Sequence, residues 1–190
     1  MNTEYDHDIK ACIDIMKLDG VILYPTDTIW GLGCDATNEK AIDKLFKIKH
    51  RDTKKSFVLL MTDVKQLSQF LANPLPDLDA LINQFTEPTT IVYEGAINLP
   101  NSVLAADGSI AVRITTDPFC RSLIKRLRNP VVSTSANESG HPSPMHYSLI
   151  QQTIVTQSDY VVRWRQHDIS TRPPSQILKL EKDGTFTKIR

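Results

Sequence analysis

Apolar positions along this chain keep two rhythms, and the switch from one to the other marks its elements. Ile9, Cys12, Ile13 and Met16 recur at the spacing of one helix face and stop before Asp19-Gly20; Val21-Ile22-Leu23-Tyr24 is then a short unbroken apolar run, as in a buried strand. Asn38 is placed to cap a second helix whose stripe is Ile42, Leu45, Phe46 and the aliphatic stem of Lys49. Phe57-Val58-Leu59-Leu60-Met61 predicts another buried strand. Val64, Leu67 and Leu71 predict a helix that Pro74 and Pro76 end, and Leu78, Leu81, Ile82 and Phe85 predict one more before a strand over 89–93. Residues 109–114 read as a strand, Asp117-Pro118 as a cap with proline at the first helical position of a helix through Leu127, and Val131-Val132-Ser133 as a strand again. Ser143-Pro144 repeats that helix-start device, and the segments 176–180 and 185–189 flank Lys182-Asp183-Gly184-Thr185 as a closing hairpin.

Strands and helices that alternate in this way predict an α/β fold, with helices flanking a sheet that is mixed rather than purely parallel, because of the hairpin and the short connections. A chain of 190 residues with 41% hydrophobic content supports one domain, taken as residues 1–190, with no repeat and no linker. The strand-end and helix-end segments 26–33, 49–55 and 135–143 are expected to converge on one cleft.

Charge then narrows the chemistry. Twenty-two basic and twenty-two acidic side chains cancel, so bulk attraction to nucleic acid or to a membrane is excluded and an anion site must come from local clustering. Such a cluster exists: Lys44, Lys47, Lys49, Arg51, Lys54 and Lys55, with His50, surround the single acid Asp52. Three widely spaced cysteines argue against a disulfide framework or a zinc knuckle and for a reducing compartment, by default the cytoplasm. No apolar run has the length of a signal peptide or a membrane span.

Three motifs carry candidate chemistry. Gly31-Leu32-Gly33-Cys34-Asp35-Ala36 fits the dinucleotide pattern G-x-G-x-x-A, but the acid expected about twenty positions later would be Asp52, inside a basic helix end, so the dinucleotide reading is rejected. The two glycines then serve either a tight turn with positive φ or a ligand loop to which Thr26 and Thr28 lend hydroxyls. Lys49, Arg51 and Lys55 either complement a helix dipole or grip phosphates, Arg by two oxygens at once and Lys as a point charge. Ser133, Ser135 and Asn137 either make turn hydrogen bonds after a strand or face a ligand; no G-x-S-x-G elbow surrounds them, so His141 and His146 do not complete a hydrolase triad. Trp30, Tyr24 and Phe46 read as core or cleft wall.

The block Tyr24-Pro25-Thr26-Asp27-Thr28-Ile29-Trp30-Gly31-Leu32-Gly33, the Lys49-x-Arg51 pair and the Ser135-x-Asn137 pair resemble the YrdC-like threonylcarbamoyl-AMP synthase family in content, order and spacing, from about Gly20 to Arg190. The resemblance implies a twisted mixed sheet around a basic cavity. The activity it implies is a nucleotidyl transfer that makes L-threonylcarbamoyl-AMP and pyrophosphate from L-threonine, bicarbonate and ATP, for N6-threonylcarbamoyladenosine in tRNA, with a threonylcarbamoyl-transfer machinery as partner. Position by position it implies ATP contacts at Arg51, Lys55, Ser109, Ser135, Ser143 and Arg190, and threonine contacts at Thr28, Leu60, Arg113, Ser133 and Ser175. Lys49, Arg51, Ser135 and Asn137 form its catalytic signature, and Mg2+ would arrive with ATP, since the chain shows no carboxylate cage. The chain departs from the family at Asp52, at Lys55-Ser56, at Leu60 and at Phe85-Thr86-Glu87-Pro88, which leaves room for a YciO-type paralogue. A non-catalytic double-stranded RNA or tRNA binder, helped by Arg121, Lys125, Arg126 and Arg128, is the other alternative.

Overall fold

The computed structural model describes residues 3–50 and 57–189. Asp6–Met16 forms α1 and leads into β1, Ile22–Tyr24, as the apolar spacing predicts. The second strand, β2, is Gly31–Asp35, and α2 is Glu39–Lys49, capped by the Asn38 side chain, which accepts from the Ala41 amide. Then come β3, Val58–Met61, the short helices α3, Val64–Ser68, and α4, Leu78–Asn83, and β4, Thr89–Tyr93. Next are β5, Ile110–Ile114, and α5, Pro118–Leu127, whose Asp117 cap accepts from the Cys120 amide. The last elements are β6, Val131–Ser135, α6, Gln152–Gln157, β7, Tyr160–Val161, and the hairpin β8, Gln176–Leu180, with β9, Phe186–Lys188.

The nine strands of the described residues join one mixed sheet in the order β7-β1-β2-β6-β3-β5-β4-β8-β9. The pairs β1–β7, β3–β5 and β4–β8 are parallel and the other five antiparallel. Because side chains alternate between faces along a strand, one row across the register, Gly33–Ser133–Val58–Ala111–Val92, lies on a single face. Its side chains are small or absent, and the space they leave becomes the cavity described below. The alternate residues Val132, Leu59, Val112 and Ile91 are buried in the core on the other face, where α5 packs on β3 and on α1.

Two local readings change. Gly31 and Gly33 are strand residues, and neither has positive φ. A Cβ on Gly33 would lie 2.7 Å from Tyr24 Cε1 and from the Val132 carbonyl oxygen, so glycine is required there by the close passage of a ring rather than by a turn. Ser143-Pro144 does not start a helix; a single 3-10 turn, Tyr147–Leu149, separates it from α6, because no amphipathic run stands directly behind the cap-like pair.

The first helix is tied to a segment more than 150 positions later in the sequence. Buried Asp8 accepts from Tyr160 Oη at 2.6 Å, from the Trp164 amide at 3.0 Å and from the Arg163 amide at 3.2 Å. That carboxylate fixes the short strand β7 and the chain leaving it.

Candidate active-site cavity

A cavity of about 430 Å³ opens on the small-residue face of the sheet. Its floor is Val58, Ala111, Val92 and Ile177; Thr26, Thr28, Trp30 and Gly31 form one wall, and Ser133, Ser135, Ser143, Ser175 and Arg113 bring the polar atoms. A floor of apolar side chains with a few converging polar groups is the usual make-up of a small-molecule site.

Arg113 is 6% exposed. Its Nη2 lies 3.0 Å from Asp27 Oδ1, as an ion pair without hydrogen-bond alignment, and its Nε is buried with no hydrogen-bond partner among the described residues. An arginine donor left unsatisfied at such depth costs about 1–3 kcal/mol, which a ligand anion in the cavity would recover. Asp27, between the two threonines, was not singled out by sequence reasoning; its partner is 86 positions away, and only the acid's placement within the Thr26-Asp27-Thr28 block hinted at a role.

Tyr24 is fully buried, and its ring crosses over Gly33 so that the hydroxyl donates to Ser133 Oγ at 2.8 Å. Burial pushes the Tyr24 hydroxyl well above its ordinary pKa, so it stays protonated and donates. On the opposite wall, Thr26 Oγ1 donates to the Ile29 carbonyl at 2.7 Å and accepts from the Thr28 amide at 3.1 Å, and the two threonine hydroxyls lie 3.1 Å apart.

Lys49 has another kind of place. It is 1% exposed, and its Nζ reaches the carbonyl oxygens of Ser135 at 2.6 Å and Asn137 at 2.5 Å, with Asn137 Oδ1 at 3.3 Å. Asn137 Nδ2 donates in turn to the carbonyls of His141 at 2.6 Å and Glu138 at 3.0 Å, and the Ser139 amide returns to the Lys49 carbonyl at 2.9 Å. Neither Lys49 nor Asn137 lines the cavity. The sequence reading counts both as catalytic; in the structure their hydrogen bonds cinch the turn after β6, beside Ser135 at the rim.

Of the remaining sequence-predicted contacts, Thr28, Arg113, Ser133, Ser135, Ser143 and Ser175 are brought together around the cavity. Leu60 is not among its lining: it sits beside Arg113 in register, with no exposed surface. Ser109 also falls outside, its hydroxyl donating to Asp107 Oδ1 at 2.6 Å within a turn. Arg51, Lys55 and Arg190 lie outside the described residues, so the cation that the described part of the wall contributes is Arg113. Lys44 pairs with Asp159. Among the described residues no group of three or more His, Cys, Asp or Glu side chains is placed to hold a metal ion, and no helix is long and apolar enough to cross a membrane.

A second depression, of about 400 Å³, is lined by Leu71, Leu75, Leu78, Tyr93 and Leu180 with Glu94, Glu181 and Lys182 at its margin. Its acids outnumber its one cation, which makes it a poor host for a polyphosphate.

The geometry can be set beside known proteins. The sequence profile of the Sua5/YciO/YrdC family, described as "Telomere recombination", matches residues 14–190. The chain belongs to the Sua5/YciO/YrdC family. It is 35% identical over 150 residues to a threonylcarbamoyl-AMP synthase of Pseudomonas aeruginosa, covering 78% of this chain and 80% of that protein. It is 34% identical over 142 residues to the protein of the same name from Coxiella burnetii, covering 73% of this chain and 75% of the other. Among solved structures, E. coli YciO superposes with a TM-score of 0.83 at 23% identity, covering all of this chain and 90% of YciO. P. abyssi Sua5 complexed with L-threonine superposes with a TM-score of 0.83 at 20% identity, covering 98% of this chain; the chain spans 54% of that longer protein. These likenesses establish the family fold, a twisted mixed sheet with flanking helices, for this chain.

Proposed function

We propose that the chain is an ATP-dependent L-threonylcarbamoyl-AMP synthase. The reading rests above all on the buried Arg113 with an unpartnered Nε in a cavity otherwise supplied with hydroxyls, in a chain whose curated relatives bear that enzyme's name. A cavity of about 430 Å³ has the size of a site for one amino acid and part of a nucleotide.

In this reading the amine nitrogen of L-threonine bonds to the carbon of bicarbonate with loss of water, giving a carbamate. A carbamate oxygen then bonds to the α-phosphorus of ATP, the bond from that phosphorus to the bridging oxygen of the β-phosphate breaks, and pyrophosphate leaves. Arg113, oriented by Asp27, takes the amino-acid carboxylate. Ser175, whose hydroxyl lies 2.8 Å from Thr90 Oγ1, completes that end. Leu60 is left out of the threonine contacts and Ser109 out of the ATP contacts. Ser135 and Ser143, at the rim, are assigned to the nucleotide together with Arg51, Lys55 and Arg190. The catalytic contribution is positioning and charge stabilisation, with no covalent intermediate on the protein. Magnesium, carried by the triphosphate, would offset phosphate charge, in keeping with a wall of hydroxyls and arginine that offers no carboxylate cluster among the described residues. The product would feed a tRNA-modifying transfer machinery in the cytoplasm.

Pyrophosphate release from purified protein with ATP, magnesium and bicarbonate is the test. Release that requires L-threonine and bicarbonate, and collapses in Arg113→Gln and Arg51→Ala, is the expected result. Release indifferent to the amino acid, or none at all, would rule the synthase out.

A further inference from the structure

The hydroxyl network on the Thr26 wall has a direction. A threonine hydroxyl carries one proton. That of Thr26 is committed to the Ile29 carbonyl at 2.7 Å, because a carbonyl can only accept. Across the 3.1 Å contact between Thr26 Oγ1 and Thr28 Oγ1, Thr28 must therefore be the donor. Its own proton is thus spent, and Thr28, 5% exposed, meets the cavity with lone pairs only. The other wall has the opposite sense. Ser133 accepts a hydrogen bond from the Tyr24 hydroxyl, so its own proton is left to point elsewhere, and it stands with Arg113 as a donor surface.

We propose that Thr26 is a specificity-determining positioning residue: by taking the Thr28 proton it makes Thr28 an acceptor alone, so that the amino acid must donate its side-chain hydroxyl there and present its carboxylate to Arg113 and Ser133. The inference rests on the synthase reading above and adds to it the polarity of each wall. The ligand's hydroxyl, rather than its amine, is matched to Thr28 for a chemical reason. A fixed acceptor beside the amine would favour the ammonium form, which cannot attack carbon, whereas the hydroxyl takes no part in the bond changes and needs only to be recognised.

The test is calorimetric titration of the full chain with L-threonine, O-methyl-L-threonine and L-valine, in the wild type, Thr26→Ser and Thr26→Val, with a thermal melt on each. The methyl ether keeps the acceptor oxygen and loses the donor; valine loses both. The wild type should prefer threonine to either by at least about 100-fold, since a site built around a ligand hydroxyl rejects analogues that leave its buried groups unpaired. Thr26→Ser should keep both ratios. In Thr26→Val the Thr28 hydroxyl is released to turn and donate, so the threonine-to-ether ratio should narrow by roughly 10-fold or more while valine stays rejected.

A parallel loss of all three ligands in Thr26→Val, or an unchanged ether ratio, would overturn the inference and leave the synthase reading standing. If Thr26→Val does not fold, the wild type decides: ether bound as tightly as threonine overturns the inference, and ether rejected like valine supports it. No threonine binding in the wild type would instead remove the synthase reading, and the inference with it.

Discussion

Lys49 and Arg113 are both buried cations near the same cavity, and they are spent in opposite ways. Among the described residues, the Lys49 ammonium meets protein acceptors at 2.5–3.3 Å, at the end of β6 and on the turn after it. Arg113 has one off-axis carboxylate and a buried Nε that nothing in the described structure satisfies. The first is a strut within the wall; the second keeps donors for a ligand. Burial alone would not separate them, since both are less than a tenth exposed, whereas the accounting of donors against acceptors does.

The contrast can be broken by substitution. The largest effect expected is on stability. Lys49→Met removes a charged donor and strands the Ser135 and Asn137 carbonyls, costing about 3 kcal/mol or more by denaturant unfolding, with activity lost as the turn slackens. Arg113→Lys should do the reverse. The charge facing Asp27 remains and stability changes by about 1 kcal/mol or less, but without the planar fork the KM for the amino acid rises roughly 10–100-fold. A Lys49 variant of normal stability, or an Arg113→Lys enzyme with unchanged KM, would erase the distinction.

Two smaller changes sharpen it. Gly33→Ala sets a Cβ 2.7 Å from the Tyr24 ring and from a backbone oxygen, and overpacking of this kind costs about 1–3 kcal/mol, measured as a lower unfolding midpoint. Tyr24→Phe removes only the donor to Ser133. Stability should fall by about 1 kcal/mol and amino-acid affinity by less than about 10-fold, as read from unfolding and titration together.

What could be read beforehand was what the local chain decides. Asn38 and Asp117 are caps because a short side chain needs only the amides a few residues on, and the Asp183-Gly184 turn closes a hairpin for equally local reasons. The turn reading of the glycines fails at Gly33 because the ring that demands room there comes from another strand, while Gly31 lines the cavity. The apolar run ends the predicted strand at Ser133, yet Ser135 still belongs to β6, since pairing with β2 on one side carries the ladder past that run. The pattern missed β7, too short at two residues to show a period. Lys49 was legible as part of a signature but not as a strut, because its acceptors lie 86 and 88 positions away.

The Asp8 clamp has a consequence for how the molecule comes into being. It joins α1 to residues 152–156 positions later, and β1 pairs with β7 over nearly as long a span. Pro174, Ser175 and Ile189, more than 140 positions after Thr28, complete the cavity wall. At a synthesis rate of roughly 5–20 residues per second, the first strand waits on the order of ten seconds for its edge partner to emerge. Throughout that interval a partly built sheet exposes unpaired edges, and the speed with which the tail is delivered governs how often a nascent chain pairs with the wrong neighbour.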